Sequence, residues 1–267
     1  MPMSNNISDI VIKPDAVFVA DSHWFDMALL HGSRESKSTD SRDYALKDLP
    51  SFLQSLHCSQ VFLMGDIAQV LVGNITSSTQ SNQKLLLAIE LLSQRSAVFW
   101  FEGNHDFALQ ALQSLLPRVR FVPRTSQPLI AIFNDKSVSL AHGDVFLNLR
   151  YKIYIGILNS PFGRNVIKAL DLLCCGNLYK ALEQKIVRKK MRPFAGEVEA
   201  FCERRLELYE RYFTKTGVKM PQIIIEGHFH IGRHIQKNNV LYMCLPAFCE
   251  NGEALCFKEY VSTIHSL

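Results

Sequence analysis

The sequence predicts an α/β fold, in which a layered core of strands and helices carries a helical insertion. Short apolar runs rich in Val, Ile and Phe alternate with helical patterns, and this alternation is typical of an α/β core. The segment 146–218 differs, because it contains helical patterns and no strong strand. We therefore predict a core made of residues 1–145 and 219–267, and a helical cap made of residues 146–218.

Each predicted strand is a run of five or six residues, which fits a buried strand better than a helix. The runs are AVFVA (16–20), QVFLM (60–64), AVFWF (97–101), SVSLA (137–141), QIIIE (222–226) and VLYMCL (240–245). A hairpin is predicted where LIAIF and SVSLA flank the polar turn Asn134-Asp135-Lys136. Helices are predicted over residues 82–94, 166–182 and 197–213.

Composition places the chain among soluble globular proteins. Hydrophobic residues make up 48% and charged residues 20% of the 267 residues, which argues against disorder. There is no run of eighteen apolar residues and no basic start followed by an apolar core, so we expect neither a spanning helix nor a secretory signal. Seven cysteines without CxxC pairs predict reduced, mostly buried thiols in a cytoplasmic protein.

The net charge of +4 is spread unevenly along the chain. Residues 146–218 hold 14 Lys and Arg against 7 Asp and Glu, a balance of +7, which leaves −3 for the remainder. A basic segment inside an otherwise acidic chain indicates a partner that bears phosphate, either a substrate or a lipid surface.

Five polar clusters follow the predicted strands almost immediately. In chain order they are Asp21-Ser22-His23, Gly65-Asp66, Gly103-Asn104-His105-Asp106, His142-Gly143-Asp144 and Gly227-His228-Phe229-His230. Strand ends are where α/β folds place their sites, and carboxylate, imidazole and amide groups are suitable ligands for Mn, Fe, Zn or Mg ions. Each cluster alone would be an ordinary turn, but five in this arrangement predict a metal site, in which Asp66 could bridge two cations.

This set of clusters resembles the calcineurin-like metallophosphoesterase superfamily, whose pattern is D-x-H, G-D, G-N-H-D/E, H and G-H-x-H. The resemblance covers about 16–145 and 220–250. It implies a four-layer αββα sandwich and a hydrolase with two divalent ions, with Mn expected and Mg, Fe or Zn as alternatives. By match of motif, one ion is held by Asp21, His23, Asp66 and His230, and the other by Asp66, Asn104, His142 and His228. The catalytic residues implied are His105, which contacts the scissile phosphate, and Asp106, which orients it.

The layout is most similar to the UDP-2,3-diacylglucosamine pyrophosphatases of lipid A biosynthesis, which carry a similarly placed helical insertion. The resemblance implies cleavage of UDP-2,3-diacylglucosamine to UMP and 2,3-diacylglucosamine 1-phosphate, by an enzyme peripheral on the inner face of the cytoplasmic membrane. The best-known branch has Arg where this chain has His105. We predict by charge and position that the cap binds substrate through Arg150, Arg164, Lys185, Arg188 and Lys189.

Several alternatives remain open on the sequence alone. The cap could be an ordinary amphipathic cover with solvated lysines and arginines. The enzyme could act on a soluble phosphoester as a protein phosphatase or nucleotide phosphodiesterase, and the chain could also be a scaffold without catalysis or a membrane-surface binding module that recognises an anionic bilayer. No stripe of interleaved aromatic and basic residues indicates a nucleic-acid partner.

Overall fold

The structure is a computed structural model that describes residues 7–27, 48–147, 150–151, 153, 156–157, 160–187, 194–260 and 264. The strands are β1 (Ile7–Val11), β2 (Val17–Val19), β3 (Gln60–Leu63), β4 (Leu71–Val72), β5 (Ala97–Phe101), β6 (Asp106–Phe107), β7 (Arg120–Val122), β8 (Leu129–Phe133), β9 (Lys136–Ala141), β10 (Ile223–Glu226), β11 (Arg233–Lys237), β12 (Val240–Cys244) and β13 (Leu255–Cys256). The helices are α1 (Leu49–Ser55), α2 (Thr76–Ser81), α3 (Gln83–Ser93), α4 (Pro161–Leu173), α5 (Asn177–Val187), α6 (Val198–Thr216) and α7 (Phe248–Asn251).

Two sheets carry the fold. The five-stranded sheet has the order β13-β2-β3-β5-β7, and its last four strands are parallel. The six-stranded sheet has the order β1-β8-β9-β10-β12-β11, in which β10 runs parallel to both β9 and β12. The carboxyl ends of the parallel strands in each sheet therefore lie at a common edge.

Apolar side chains divide the molecule into four layers. Phe18 and Phe62 of the first sheet pack with Leu140 and Ile225 of the second, and the core between the sheets is closed to solvent. Helices α1 and α3 cover the outer face of the five-stranded sheet, while α6 covers the outer face of the six-stranded sheet. Alternate strand residues point to opposite faces, so one strand contributes to two layers. This αββα arrangement confirms the predicted fold class.

The predicted strands are confirmed, with bounds that differ from the prediction by at most one residue at either end. The predicted hairpin is also present, with β8 and β9 antiparallel around Asn134 and Asp135. Both turn residues have positive φ, 45° and 64°, which is the conformation of a two-residue type I′ turn. The helix predicted over 82–94 is α3.

One predicted helix, residues 166–182, is wrong as a continuous element. The chain instead forms α4 and α5, separated by a turn at residues 174–176. Cys175 and Gly176 in this turn have φ of 52° and 79°, and the left-handed conformation ends a helix. The apolar period continues across the break, so periodicity alone predicted one helix where there are two.

The helices of the segment 146–218 pack on different parts of the core. Helix α6 lies on the six-stranded sheet. Helices α4 and α5 lie against α2, where Asp171 accepts from the Ser77 hydroxyl and Glu183 accepts from the Ser81 hydroxyl at 2.8 Å. The domain boundaries at 145 and 219 stay a prediction.

The cysteines are less buried than predicted. Three are buried, two are half-buried, and Cys174 and Cys175 in the turn between α4 and α5 are exposed. No helix among the described residues is long and apolar enough to cross a bilayer.

Candidate metal centre

The five polar clusters meet at the edge where the carboxyl ends of β2, β3, β5, β9 and β10 come together. A direct hydrogen bond links the two sheets there, since the backbone N–H of His228 donates to Asp21 Oδ2 at 2.7 Å. Residues 207 positions apart in the chain are thus neighbours in the fold. The topology therefore explains how scattered motifs form one site.

An unusual backbone conformation marks the candidate ligands. Five of them have positive φ, between 44° and 70°, although none is glycine. These are Asp21, His23, Asp66, His228 and His230. The left-handed conformation costs an L-residue about 1 kcal/mol or more, and such conformations cluster at functional sites. The fold thus turns these side chains inward at the cost of backbone strain.

Glycine is required beside the ligands because the space for a side chain is taken. A Cβ on Gly103 would lie 2.2 Å from Asp66 Oδ1 and 2.6 Å from Asp66 N. A Cβ on Gly65 would lie 2.5 Å from His142 Nδ1, and Gly65 also has φ of 91°. These contacts explain why glycine precedes the ligand clusters.

We predict that Gly103→Ala destabilises the chain by about 1–3 kcal/mol, as overpacking of a closed interior does. The added methyl group must displace Asp66, so metal affinity should fall as well. Urea denaturation and elemental analysis of the purified variant would measure both effects. Ala111→Gly, in a 3-10 helix away from the site, is a control that should keep normal metal content. Unchanged stability and metal content in Gly103→Ala would contradict the packing described here.

The first ligand group comprises Asp21, His23 and His230, whose donor atoms lie within 4.8 Å of one another. His230 Nε2 lies 3.5 Å from Asp21 Oδ1, and Glu250 Oε1 lies 3.2 Å from His230 Nδ1. A carboxylate on the second ring nitrogen fixes a histidine for ligation through the first. Asp21 Oδ1 and His23 Nδ1 are buried and lack a hydrogen-bond partner among the described residues, so both are available to a cation.

The second ligand group comprises Asp66, His142 and His228. His142 Nδ1 lies 2.9 Å from the Met64 carbonyl oxygen, which directs Nε2 into the site. That Nε2 atom is 3.2 Å from His228 Nδ1, 3.5 Å from Asp66 Oδ2 and 3.4 Å from Asn104 Oδ1. Several acceptor atoms converging on one point are suited to a divalent cation.

The electrostatics of the site agree with cation binding. Burial lowers the pKa of His23 to about 4, so its ring is neutral at pH 7 and can donate a lone pair. Burial also acts to lower the pKa of His142, but the Asp66 carboxylate raises it well above its ordinary value. The carboxylates thus create a negative potential that attracts a proton or a metal ion. The seven residues predicted as metal ligands are brought together, and their oxygen and nitrogen atoms are suited to divalent cations.

His105 lies beside the ligands, with its ring 4.8 Å from that of His23 in an edge-on arrangement. Its backbone N–H donates to Asp66 Oδ1 at 2.8 Å. Its Nδ1 lies 2.7 Å from the carbonyl oxygen of Gln69, so Nε2 is the nitrogen left to face the site, near His23 and Asp66. Gln69 has no motif around it, and sequence reasoning missed it.

Asp106 does not orient His105, and this part of the prediction is corrected. Its carboxylate is fully buried and accepts hydrogen bonds from the backbone N–H groups of Asp66, Ile67 and Gly103 and from the Trp100 indole, at 2.8–3.1 Å. Four donors occupy its oxygens, while the Gln69 carbonyl fulfils the orienting role. Asp106 therefore holds the ligand loops together instead of acting on His105.

Two further residues support the loops without a sequence signal. Gln127 Oε1 accepts from the backbone N–H of His142 at 2.7 Å, and Gln127 Nε2 donates to the Glu102 carbonyl at 2.8 Å. The Glu102 carboxylate in turn accepts from the N–H groups of Leu109 and Arg124. These bonds fix the second ligand loop against the first sheet.

The substrate-binding role predicted for five basic residues of the cap stays a prediction. Arg150 and Lys185 are exposed, and Arg188 and Lys189 lie outside the described residues. Arg164 is half-buried, and its charge acts on Glu102, the residue before Gly103.

Proteins similar to this chain are found among solved structures. The sequence matches no protein-family model, and a search of curated proteins finds no match. Among solved structures, a protein of unknown function, AQ665 from Aquifex aeolicus, is similar with 13% identity and a TM-score of 0.43, covering 93% of this chain and 98% of the other.

Two enzymes are also similar to this chain. An archaeal phosphodiesterase has 11% identity and a TM-score of 0.38, with 88% of this chain and 86% of the other covered. The phosphopantetheinyl hydrolase of Mycobacterium tuberculosis has 13% identity and a TM-score of 0.37, with 91% and 94% covered.

Proposed function

We propose that this protein is a two-metal phosphoesterase, a hydrolase that cleaves a phosphorus–oxygen bond. The observation that carries the proposal is the convergence of Asp21, His23 and His230 with Asp66, His142 and His228. The two ligand groups adjoin at Asp66, which fits a pair of neighbouring ions. A structural site for a single zinc ion normally has only four ligands, which is fewer than this site offers. We propose manganese as the native metal pair.

The chain's own residues supply the rest of the chemistry. A bound metal pair would polarise the phosphoryl oxygens and lower the pKa of a shared water. Asp66 would hold the pair together. The Nε2 atom of His105, held in place by the Gln69 carbonyl, would donate a hydrogen bond to the phosphoryl group or a proton to the leaving oxygen.

For the substrate, we propose UDP-2,3-diacylglucosamine, a nucleotide pyrophosphate that carries acyl chains. Support comes from the helices α4 and α5, whose polarity is inverted relative to an ordinary surface helix. Their polar side chains Asp171, Tyr179 and Glu183 are buried against α2 and Asn82, the residue that follows it. Their apolar side chains point outward and are exposed, namely Phe162, Val166, Leu170, Leu173, Leu178 and Leu182.

An outward apolar stripe of this kind is unusual on a soluble protein. Phe162 and Leu173 are 79% and 80% exposed, and the stripe follows the helical spacing of one face. Exposed lysines, Lys168, Lys180 and Lys185, accompany it. Apolar residues flanked by basic residues suit acyl chains and an anionic bilayer surface. We therefore propose that the protein is cytoplasmic and peripheral on the inner face of the membrane.

We predict that the double variant Phe162→Ser, Leu173→Ser loses binding to vesicles of anionic phospholipid. The change removes two large apolar side chains from the stripe and leaves the buried polar face unchanged. Co-sedimentation with vesicles would measure binding, and the melting temperature should stay within a few degrees. Leu115→Ser, at an exposed leucine on the core, is the matched control and should bind vesicles normally. Equal binding by both variants would contradict the role of the stripe.

A substrate panel with added Mn²⁺ tests the function itself. UDP-2,3-diacylglucosamine would be assayed by thin-layer chromatography for UMP, beside a soluble phosphodiester, a phosphopeptide and a cyclic nucleotide. The proposal expects the lipid-linked nucleotide to be cleaved with the highest kcat/KM. A higher kcat/KM for a soluble substrate would overturn the proposed substrate but not the proposed phosphoesterase activity. Absence of metal-dependent hydrolysis of every substrate would overturn both.

A further inference from the structure

We propose that Arg205, on helix α6, is a positioning residue for the second metal site, acting through the loops that carry His142 and His228. The inference rests on the proposed two-metal function. Arg205 lies in the segment 146–218, in which five other basic residues were predicted to bind substrate. Its side chain is instead buried, at 3% exposure, and directed into the core behind the ligands.

The guanidinium group of Arg205 binds two ligand loops at once. Nη2 donates to the carbonyl oxygen of Gly143 at 2.8 Å, and Gly143 directly follows the ligand His142. Nε and Nη2 donate to the two carboxylate oxygens of Glu226, both at 2.7 Å. Glu226 ends β10, two residues before the ligand His228. The planar fork of arginine can make these contacts together, and lysine cannot.

A ring contact adds a third connection. The guanidinium carbon of Arg205 lies 4.7 Å from the ring centroid of Phe229, and Phe229 stands between His228 and His230. The rings of Phe146 and Tyr209 lie at 5.4 and 5.8 Å from the same carbon. Cation–π attraction at these distances fixes the loop that carries two ligands.

Both carboxylate oxygens of Glu226 accept two hydrogen bonds, which fixes the orientation of this partner of Arg205. Tyr209 donates to Glu226 Oε2 at 2.7 Å, and Tyr242 donates to Glu226 Oε1 at 2.5 Å. Each carboxylate oxygen thus has one arginine and one tyrosine partner. A buried ion pair adds little stability compared with apolar residues, but it fixes geometry because its hydrogen bonds are directional. The network therefore sets the loop positions more than it sets the free energy of unfolding.

Geometry explains why the second metal site depends on this network. His142 Nε2 and His228 Nδ1 are 3.2 Å apart, and these two rings come from adjacent strands, β9 and β10. Arg205 spans the two strand ends through Gly143 and Glu226. Without that bridge the two loops can move apart, and the ligand atoms no longer share one centre.

The test measures metal binding directly, without substrate. Three variants are compared with the wild type: Arg205→Lys, Arg205→Met, and the double variant Arg205→Met, Glu226→Gln, which leaves no unpaired buried charge. Mn²⁺ binding is followed by calorimetry and by electron paramagnetic resonance. We expect one of the two sites to weaken by about 10- to 100-fold, as loss of supporting residues does at other metal sites. The other site should weaken less, because two of its three grouped ligands, Asp21 and His23, follow a strand of the five-stranded sheet.

Arg211→Met is the matched control, because Arg211 is on the same helix but exposed, and its ion-pair partner Glu207 is also exposed. It should bind both ions as the wild type does. Folded Arg205 variants that bind both ions normally would overturn the inference. So would failure of all three variants to fold, since Arg205 would then serve stability. A wild type that binds no pair of divalent ions would instead overturn the proposed function.

Discussion

Replacing Asp66 with asparagine is expected to lower kcat by about 10²- to 10³-fold or more. The Asp66 carboxylate adjoins both ligand groups. Its Oδ2 lies 3.5 Å from His142 Nε2, and one of its oxygens lies within 4.8 Å of a ring nitrogen of His23. Asparagine has nearly the same shape but no charge, so it cannot hold two cations together. Turnover at saturating Mn²⁺, with metal content by elemental analysis, would measure the loss.

The fold should survive this change. The asparagine side chain keeps a carbonyl oxygen that can accept the backbone N–H of His105, now bound by Asp66 Oδ1 at 2.8 Å. Far-UV circular dichroism and the melting temperature of the metal-free variant would verify this. Asp135→Asn, in the exposed hairpin turn, is a control of the same chemical type and should keep full activity. Wild-type turnover by the Asp66→Asn variant in the presence of chelator would refute the metal assignment.

His105→Ala is expected to reduce kcat by about 10²- to 10⁴-fold, the contribution of a positioned acid or hydrogen-bond donor. Metal binding should not change, because His105 is proposed to contact the phosphoryl group. Its Nδ1 is held by the Gln69 carbonyl at 2.7 Å, which leaves Nε2 for that contact. Steady-state kinetics and metal stoichiometry, measured on one preparation, would distinguish a role in catalysis from a role as a metal ligand.

Metal stoichiometry is the informative readout for His105, since its ring also groups with His23 and Asp66 as a possible ligand set. Loss of one ion together with activity would show that His105 is a ligand. His57→Ala, at an exposed histidine whose Nδ1 lies beside the carbonyl oxygen of Ser55, should change neither quantity. Loss of activity with both ions retained is the result expected for a catalytic residue.

The strands and the motif positions could be predicted because they depend on local sequence. Runs such as QIIIE are buried on both faces, and their apolar continuity shows this directly. The ligand clusters were found because glycine and the polar residues stand next to each other in the chain. The break at Cys175 could not be predicted in the same way, because apolar residues continue on both sides of it.

The contacts between distant segments could not be predicted from local patterns. Arg205 resembles its exposed neighbours on α6 in sequence, yet it binds Glu226, 21 positions away. Asp106 has the spacing of an orienting carboxylate, but its position under the loops gives it four N–H donors instead. In both cases tertiary packing decides which partner a polar side chain meets.

Crystals of the protein grown with Mn²⁺ and measured at the manganese absorption edge would test the central claim most directly. We expect two neighbouring anomalous peaks on either side of Asp66, one bound by Asp21, His23 and His230, and the other by His142 and His228. No peak, or a single peak that does not contact Asp66, would contradict the two-metal centre and the hydrolase proposed from it.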